Sequence, residues 1–269
     1  MQKLIILSLS ILLVTGCATN SSTSLTSTLD HGSLHKFSKL NNTTKHGYQV
    51  VPDPTGTAPT EMVERFEVRS GECGGLDCGG SNGPTSRTGN RERSEIETDN
   101  NNYQNDEYWY GWSMFLPKDH ENLWPSNLTL GQFYNNDGTT DRPDTCSSFM
   151  FQNSASYGVL RKGLTIDRQF KCFTREYTTI LTDEELLGNW NRIEVHARWS
   201  NKEDGFFKVY TNGILKYDFE GRTMDGNGVF LKYGIYRCWV SLYYEKTIPT
   251  TTVLYANVKR SKTREGLAP

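Results

Sequence analysis

The chain has 269 residues, a formal net charge of −2 and 35% hydrophobic residues. That length allows one large β domain or two small domains, and the nearly neutral charge argues against a nucleic-acid-binding surface. The 14 tyrosines, 12 phenylalanines and 6 tryptophans supply large core side chains, and with 24 glycines they favour strands and turns over helices.

The first 17 residues have the pattern of a secretion signal. Lys3 precedes the apolar run 4–14, which is too short to span a bilayer, and Thr15-Gly16-Cys17 follows as a small-residue cleavage site. Residues 13–17 resemble a bacterial lipobox, which implies lipid attachment to Cys17. Ala18 then implies anchoring in the outer membrane. An ordinary secretion signal is the alternative, and either way we expect the folded part to be exported.

Residues 18–58 are predicted to be a flexible tether and residues 59–269 a single domain. The stretch 18–47 is rich in Ser, Thr and Asn and lacks apolar periodicity, which is typical of a linker. Prolines at positions 52, 54 and 59 then stiffen the entry to the domain.

An exported domain can form disulfides. Cys73 and Cys78 close a tight Gly-rich loop and are the first predicted pair, and Cys146 with Cys172 is the second. Cys238 then remains unpaired and is expected to be buried, although spacing alone does not fix the connectivity.

From residue 61 onward, short strand-like runs alternate with turns. Asn212-Gly213 is the strongest hairpin signal, and Thr182–Leu187 is the one helix-like piece. Closely spaced strands without intervening helices predict an all-β, two-sheet sandwich of the jelly-roll, concanavalin-like type. The predicted strands are Met62–Arg69, Glu95–Thr98, Tyr108–Leu116, Leu128–Tyr134, Ser148–Gln152, Gly163–Asp167, Phe170–Phe173, Arg192–Trp199, Phe206–Thr211, Ile214–Phe219, Phe230–Arg237 and Thr251–Lys259.

Two strands carry polar residues that a sandwich does not require. Arg93 and Glu95 are predicted to share one face, where the guanidinium can clamp a carboxylate and the acid can hold it in place. Gln132 and Tyr134 share a face of another strand, where an amide and a phenol can bind a carboxylate and transfer a proton. An exposed ion-pair ladder and buried structural hydrogen bonds are the respective alternatives.

The run Phe230–Arg237 places Lys232 and Tyr236 on one face, with Gly234 between them. Glycine inside a strand often marks close approach of a ligand or another backbone. We therefore interpret this face as a floor for an anionic, hydroxyl-rich substrate, with Gly234 leaving room for a sugar ring. An amphipathic edge strand is the alternative.

These three segments resemble three motifs of jelly-roll polysaccharide lyases, in order and spacing. Arg-Ser-Glu-Ile at 93–96, Gln-Phe-Tyr at 132–134 and Phe-Leu-Lys-Tyr-Gly-Ile-Tyr-Arg at 230–237 are similar to the Arg-Ser-Glu-Leu, Gln-x-His and Tyr-Phe-Lys-Ala-Gly-x-Tyr motifs of alginate lyases. Over roughly residues 61–259 the chain also resembles the group that contains heparin lyase I-like and glucuronan lyase-like enzymes. The resemblance implies a concave substrate cleft.

The resemblance further implies β-elimination at a uronic acid. Arg93 and Gln132 would neutralise the C6 carboxylate, which acidifies the C5 proton. Tyr236 would be the acid or base, and Lys232 would support the site by its charge. An anionic polysaccharide is the expected partner, a monomer is the expected state, and no cofactor is required.

The chain departs from the family pattern at Tyr134, where many of these lyases carry histidine. A phenol is a poor base unless cations stabilise its phenolate, and Arg93 and Lys232 are expected to do this for Tyr236 or Tyr134. When the C5 proton and the C4 oxygen lie on the same side of the ring, one tyrosine can take and return the proton. That geometry belongs to glucuronate and mannuronate, so the missing histidine favours those polymers.

Glu95, His196 and Arg237 are predicted as further substrate contacts. His196 is expected either to reach the cleft and replace the missing base or to be a framework residue. The loop 135–144 is rich in oxygen ligands suited to a structural Ca²⁺, although ordinary turns have the same composition.

Two other functions compete with the lyase. A sandwich glycoside hydrolase needs two carboxylates, for which Glu95, Glu97 and Asp99 are available. A non-catalytic carbohydrate-binding lipoprotein would use exposed Trp and Tyr side chains as stacking platforms. An unsaturated product distinguishes elimination from both.

Overall fold

The fold is a sandwich of two sheets. The computed structural model describes residues 29–31, 33–34, 37–41, 44–74, 77, 90–98, 102–136, 146–156, 158–243 and 247–268. The short helix is α1, Asp183–Leu186. The strands are β1 Phe37–Asn41, β2 Tyr48–Pro52, β3 Met62–Val68, β4 Arg91–Thr98, β5 Glu107–Phe115, β6 Asn127–Asn136, β7 Ser147–Ser156, β8 Val159–Phe170, β9 Phe173–Leu181, β10 Trp190–Arg198, β11 Phe206–Thr211, β12 Ile214–Glu220, β13 Gly228–Cys238 and β14 Thr251–Ser261.

Each sheet has seven antiparallel strands. Sheet I has the order β1-β4-β13-β6-β7-β8-β9, and sheet II has the order β12-β11-β10-β5-β14-β3-β2. The all-β, two-sheet jelly-roll prediction is confirmed. No helix in the described ranges is long and apolar enough to span a membrane.

The core forms where the apolar faces of the two sheets meet. In β10, Ile193, Val195 and Ala197 are fully buried, as the alternation of the strand predicts. Aromatic rings join the sheets: Phe149 of sheet I stacks on Phe207 of sheet II with ring centroids 3.7 Å apart. Burial of such rings contributes to holding the sheets together.

Part of the predicted tether belongs to the folded sheets. β1 pairs with β4 at the edge of sheet I, and β2 pairs with β3 at the edge of sheet II. An edge strand gains its backbone hydrogen bonds from a neighbour, so it does not need the apolar periodicity used to place the domain boundary. The domain therefore includes residues before position 59.

The β8–β9 hairpin also differs from the prediction. Phe170–Phe173 was predicted as a strand, but Lys171 and Cys172 have φ values of 50° and 66° and form the turn. β9 follows this turn, and its exposed, polar pattern gave no strand signal. The Asn212-Gly213 turn is confirmed, with φ values of 51° and 83° that suit a type I′ hairpin.

The predicted Cys146–Cys172 disulfide is confirmed, with a Cα–Cα distance of 5.2 Å. Cys238 is a free, partly buried thiol. Cys73 is disulfide-bonded, whereas Cys78 lies outside the described residues, so the Cys73–Cys78 pair stays a prediction. The secretion signal and lipid attachment at Cys17 also lie outside these residues, and the monomeric state is equally a prediction.

Gly234 is the irregular point of β13. Its φ is +124°, and β13 shifts register against β6 between Tyr233 and Tyr236. A Cβ atom at Gly234 would lie 2.5 Å from the Ser94 carbonyl oxygen and 2.8 Å from the core ring of Phe66. This glycine thus permits close packing against β4 and the core. The expectation that it leaves room for a sugar ring is wrong.

We expect Gly234→Ala to destabilise the protein more than Gly213→Ala, which is a matched control. Both glycines have positive φ, but a Cβ at Gly213 would meet nothing within 4 Å. Backbone strain alone predicts a loss of about 1 kcal/mol in the free energy of unfolding at Gly213. Strain plus overpacking predicts roughly 3 kcal/mol or more at Gly234.

Chemical denaturation of the two variants and the wild type measures this difference. Equal losses in both variants would contradict the proposed role of close packing at Gly234.

Candidate active site

Strand register brings the sequence-predicted polar residues together on the outer face of sheet I. Tyr236 of β13 pairs with Arg93 of β4. Lys232, on the same face of β13, lies between Glu97 of β4 and Gln132 of β6. We call Arg93, Glu95, Gln132, Lys232 and Tyr236 the polar cluster. The neighbouring residues Ile96, Phe133 and Tyr233 are buried in the core, as strand alternation requires.

Arg93 is held by a bidentate ion pair with Asp77. Its Nε lies 2.5 Å from Asp77 Oδ2 and its Nη2 2.9 Å from Oδ1, while Nη1 lies 3.5 Å from Glu95 Oε2. Burial alone would lower the pKa of Arg93, but Glu95 and Asp77 raise it above the ordinary value. The guanidinium therefore stays charged, and its Nη1 side points toward Glu95.

Sequence reasoning missed Asp77. It lies next to Cys78 in the loop that precedes β4, and Arg91 Nε also contacts it at 3.0 Å. Asp77 lies in a Gly-rich loop, where the sequence has no periodic pattern. Its pairing with Arg93 is therefore visible only in the structure. Its role here is to orient Arg93.

Glu95 lies between Arg93 and Gln132. Its side chain is buried and accepts a hydrogen bond from Gln132 Nε2. Gln132 Oε1 in turn accepts from Ser147 Oγ at 2.5 Å, which fixes the orientation of the amide. Burial raises the pKa of Glu95, against the attraction of Lys232 and Arg93. The Glu95 carboxylate thus contacts both Arg93 and Gln132, the two residues that were predicted to neutralise the substrate carboxylate.

Tyr236 packs beneath Arg93 and is a half-buried phenol. The Arg93 guanidinium carbon lies 4.5 Å from the centre of its ring. Burial raises the pKa of Tyr236 well above its ordinary value, although Arg93 and Arg91 oppose the shift. The neutral phenol is therefore the dominant form near pH 7. Cations do not bring the phenolate into the neutral range, which corrects the expectation for this residue.

Lys232 connects the polar cluster to Glu97 and Tyr134. Its Nζ lies 3.1 Å from Glu97 Oε2 and 4.2 Å from the centre of the Tyr134 ring. Tyr134 pairs with Phe230, six residues along β13 from Tyr236. At about 3.3 Å per residue, the two tyrosine backbones lie ~20 Å apart along the strand.

The structure does not bring His196 to the polar cluster. His196 lies on the outer face of sheet II, where its ring stacks on Trp109 at 4.2 Å and its Nε2 lies 2.8 Å from Glu107. The strand alternation was predicted correctly, but alternation does not tell which sheet a strand joins. The expectation that His196 reaches the cleft is corrected by this placement.

Arg237 is also absent from the polar cluster, because it points to the opposite face of β13 from Tyr236. Its guanidinium is fully buried, donates to the carbonyl oxygens of Pro249 at 2.5 Å and Arg69 at 3.0 Å, and pairs with Glu92. These bonds make it a structural residue that anchors the entry of β4.

Each histidine in the described ranges contacts a residue outside the polar cluster. They pair as His31 with Glu64, His46 with Glu72, His120 with Asn153 and His196 with Glu107. Among the described residues, no group of three or more His, Cys, Asp or Glu side chains is arranged to hold a metal ion. The loop predicted as a possible Ca²⁺ site is 135–144, and its residues 137–144 lie outside them.

The acids proposed for a hydrolase are engaged by cations or amides. Glu95 accepts from Gln132 and lies near Arg93, and Glu97 pairs with Lys232. Asp99 lies outside the described residues. Among the described residues, both Glu95 and Glu97 are therefore held by neighbouring cations or amides.

Comparison with solved structures shows the same fold in lyases. An endo-β-1,4-glucuronan lyase from the fungus Trichoderma reesei is 18% identical with a TM-score of 0.62, covering 87% of this chain and 94% of that chain. An alginate lyase from Pseudomonas aeruginosa is 11% identical with a TM-score of 0.51, covering 83% and 88%. An alginate lyase of polysaccharide lyase family 7 is 13% identical with a TM-score of 0.53, covering 82% and 84%.

A search of curated proteins finds no match. A protein-family model described as polysaccharide lyase matches residues 29–259, which is most of the chain. The chain therefore belongs to the polysaccharide lyase family, and the protein is a polysaccharide lyase.

Proposed function

We propose that this lyase cleaves a uronic-acid polymer by β-elimination at the polar cluster, with glucuronate or mannuronate at the cleaved position. The observation that carries the proposal is that Glu95 contacts both Arg93 and Gln132. This carboxylate therefore holds the guanidinium and the amide side by side on the outer face of sheet I. The solved lyases of similar fold act on glucuronan and alginate, which are both uronate polymers.

Arg93 and Gln132 would neutralise the substrate carboxylate. Removing the C5 proton places negative charge on that carboxylate, and fixed donors stabilise charge that develops in a transition state. Asp77 and Glu95 hold the guanidinium, and Ser147 and Glu95 hold the amide. The donors therefore pay little reorganisation energy when the charge appears. This assignment requires no metal.

Tyr236 would move the proton. Its phenolate takes the C5 proton, the C5–H electron pair forms the C4=C5 double bond, the C4–O bond breaks, and the phenol returns the proton to the leaving oxygen. The Tyr134 backbone lies ~20 Å from the Tyr236 backbone along the strand, whereas the Tyr236 ring lies against Arg93. One tyrosine on one face serves a substrate whose proton and leaving oxygen lie on the same side, which supports glucuronate or mannuronate.

Arg93→Ala is expected to lower kcat on the cleaved polymer by on the order of 10²–10³-fold, because the transition state loses a fixed counter-charge. Absorbance of the new double bond measures this. Arg198→Ala, on the outer face of sheet II, is the control and should retain wild-type turnover.

The Arg93→Lys variant separates the effect of the positive charge from the effect of the guanidinium geometry. It keeps the positive charge but loses the bidentate fork, so we expect an intermediate loss. Near-normal turnover in a folded Arg93→Ala variant would refute the carboxylate-clamp assignment.

Tyr236→Phe should abolish double-bond formation, by at least about 10²–10⁴-fold, since it removes only the proton-transfer group. The ring and its packing remain, so thermal stability and retention on polymer gels should stay close to wild type. Tyr134→Phe is the matched control and should remain active. Activity retained in Tyr236→Phe and lost in Tyr134→Phe would move the proton transfer to Tyr134.

The raised pKa of Tyr236 predicts an alkaline pH profile. Below its pKa the phenolate fraction grows with pH, so kcat/KM should rise about tenfold per pH unit from roughly pH 7 to 9. Initial rates at each pH measure the slope, with circular dichroism confirming that the fold persists. A profile that is flat or falling over this range would show that Tyr236 is not the base.

A screen of glucuronan, alginates and glycosaminoglycans tests the proposal as a whole. New absorbance from C4=C5 bonds in at least one uronate polymer is the expected result. Shortened chains without that absorbance would favour hydrolysis instead.

A further inference from the structure

Arg91 lies beside the polar cluster but has no part in the proposed reaction. Arg91 and Arg93 are two residues apart on β4, so both lie on the outer face of sheet I. Register places Arg93 opposite Tyr236 and Arg91 opposite Cys238 on β13. Arg91 is therefore the diagonal neighbour of Tyr236, and a diagonal pair on adjacent antiparallel strands is within reach of long side chains.

One carboxylate joins the two arginines. Asp77 Oδ1 lies 3.0 Å from Arg91 Nε and 2.9 Å from Arg93 Nη2. The Arg91 and Asp77 side chains are 24% and 12% exposed, so their contact is only partly open to solvent. At this contact the charges of the two guanidinium groups exceed the single charge of the carboxylate between them.

The two guanidinium groups meet different parts of Tyr236. Arg93 lies over the ring, with its guanidinium carbon 4.5 Å from the ring centre. Arg91 interacts with the phenol by hydrogen bonding and by charge. A guanidinium donates its hydrogen bond to the phenol oxygen, which is the atom that takes and returns the proton in the proposed reaction. Arg91 therefore lies at the reacting atom of Tyr236.

The remaining groups around Tyr236 are a thiol, a hydroxyl and two paired acids. Cys238, on the same face of β13, is a free thiol; burial raises its pKa to about 12, so it is uncharged near neutral pH. Thr129 is the register partner of Tyr236 on β6, and its hydroxyl does not titrate in this range. Asp77 and Glu95 are paired with the arginines. The two guanidinium groups thus supply the positive charge that acts on the phenol.

We propose that Arg91 is a positioning residue that holds the Tyr236 hydroxyl in place and stabilises its phenolate. This role rests on the proposed function, in which that phenolate is the base. Asp77 fixes the Arg91 guanidinium in advance, so the cation need not reorganise when the phenol loses its proton. Partial burial strengthens the effect, because salt and water screen such a charge less than an exposed one.

The pKa of Tyr236 is the direct readout. Difluorotyrosine placed at position 236 makes the phenol more acidic, so that it titrates where the protein stays folded, and its fluorine NMR signal reports that one residue. Removing a cation from the phenol oxygen destabilises the phenolate, so Arg91→Gln should raise this pKa by about one pH unit or more. Arg198→Gln, which removes a cation from β10 of sheet II, is the control and should leave it unchanged.

Two further variants secure the test. Arg91→Lys keeps the positive charge but loses the guanidinium geometry, so we expect a smaller rise in the pKa of the phenol. Arg91→Met removes the charge and keeps a long side chain, so it gives the same test if Arg91→Gln does not fold. An unchanged pKa in a folded Arg91→Gln or Arg91→Met variant would overturn the proposal, and so would an equal rise in Arg198→Gln.

Turnover distinguishes this proposal from the proposed function. In Arg91→Gln the smaller phenolate fraction should lower kcat roughly three- to tenfold between about pH 7 and 9, with KM near the wild-type value. The titration needs no substrate, so a raised pKa supports the Arg91 contact even if no polymer yields double bonds, an outcome that would refute only the proposed elimination. A raised pKa with unchanged kcat would support the contact and refute Tyr236 as the base.

Discussion

The polar cluster is positioned by an irregularity in β6, and a hydrogen bond that crosses the core lies at that irregularity. Leu128 and Leu130 of β6 are both buried, so strict alternation would also turn Gln132 inward; instead Phe133 is buried and Gln132 faces outward. The register of β6 against β7 shifts between Thr129 and Gly131, and such a bulge re-aims the side chains that follow it. Tyr255 of sheet II donates to the Leu130 carbonyl oxygen, with the Gly234 carbonyl oxygen 3.3 Å away. The Tyr255 hydroxyl thereby gives the Leu130 carbonyl a hydrogen-bond partner where the β6–β7 pairing is irregular.

Alternation within each strand was predictable, because the period-2 pattern is local. It placed Arg93 with Glu95, Gln132 with Tyr134 and Lys232 with Tyr236, and the structure has these pairs on the outer face of sheet I. Which strands become neighbours is set by long-range pairing, which no local pattern encodes. The ion pair of Arg93 with Asp77 therefore could not be predicted, and neither could the packing of Gly234 against Phe66.

The errors at His196 and Arg237 have different origins. Both sheets have a polar outer face, so the alternation around His196 predicts an exposed side chain without telling which sheet it joins. Arg237 follows Tyr236 directly, so alternation turns it to the opposite face of β13. There its guanidinium forms a buried ion pair with Glu92. A charged residue inside a motif can thus stabilise the strand that carries the motif, and motif membership alone does not place it at the substrate.

Arg93 joins the two halves of the proposed chemistry. Its guanidinium lies over the Tyr236 ring and contacts Glu95, which also accepts from Gln132. A base with a raised pKa is seldom deprotonated near pH 7, but it binds the proton more strongly once it is. The same cation opposes the rise in the pKa of Tyr236 and would lower the pKa of the C5–H group by neutralising its carboxylate. In the proposed reaction, one partly buried charge would thus reduce the pKa gap between the C5–H group and the phenol from both sides, and Asp77 and Glu95 hold that charge in place.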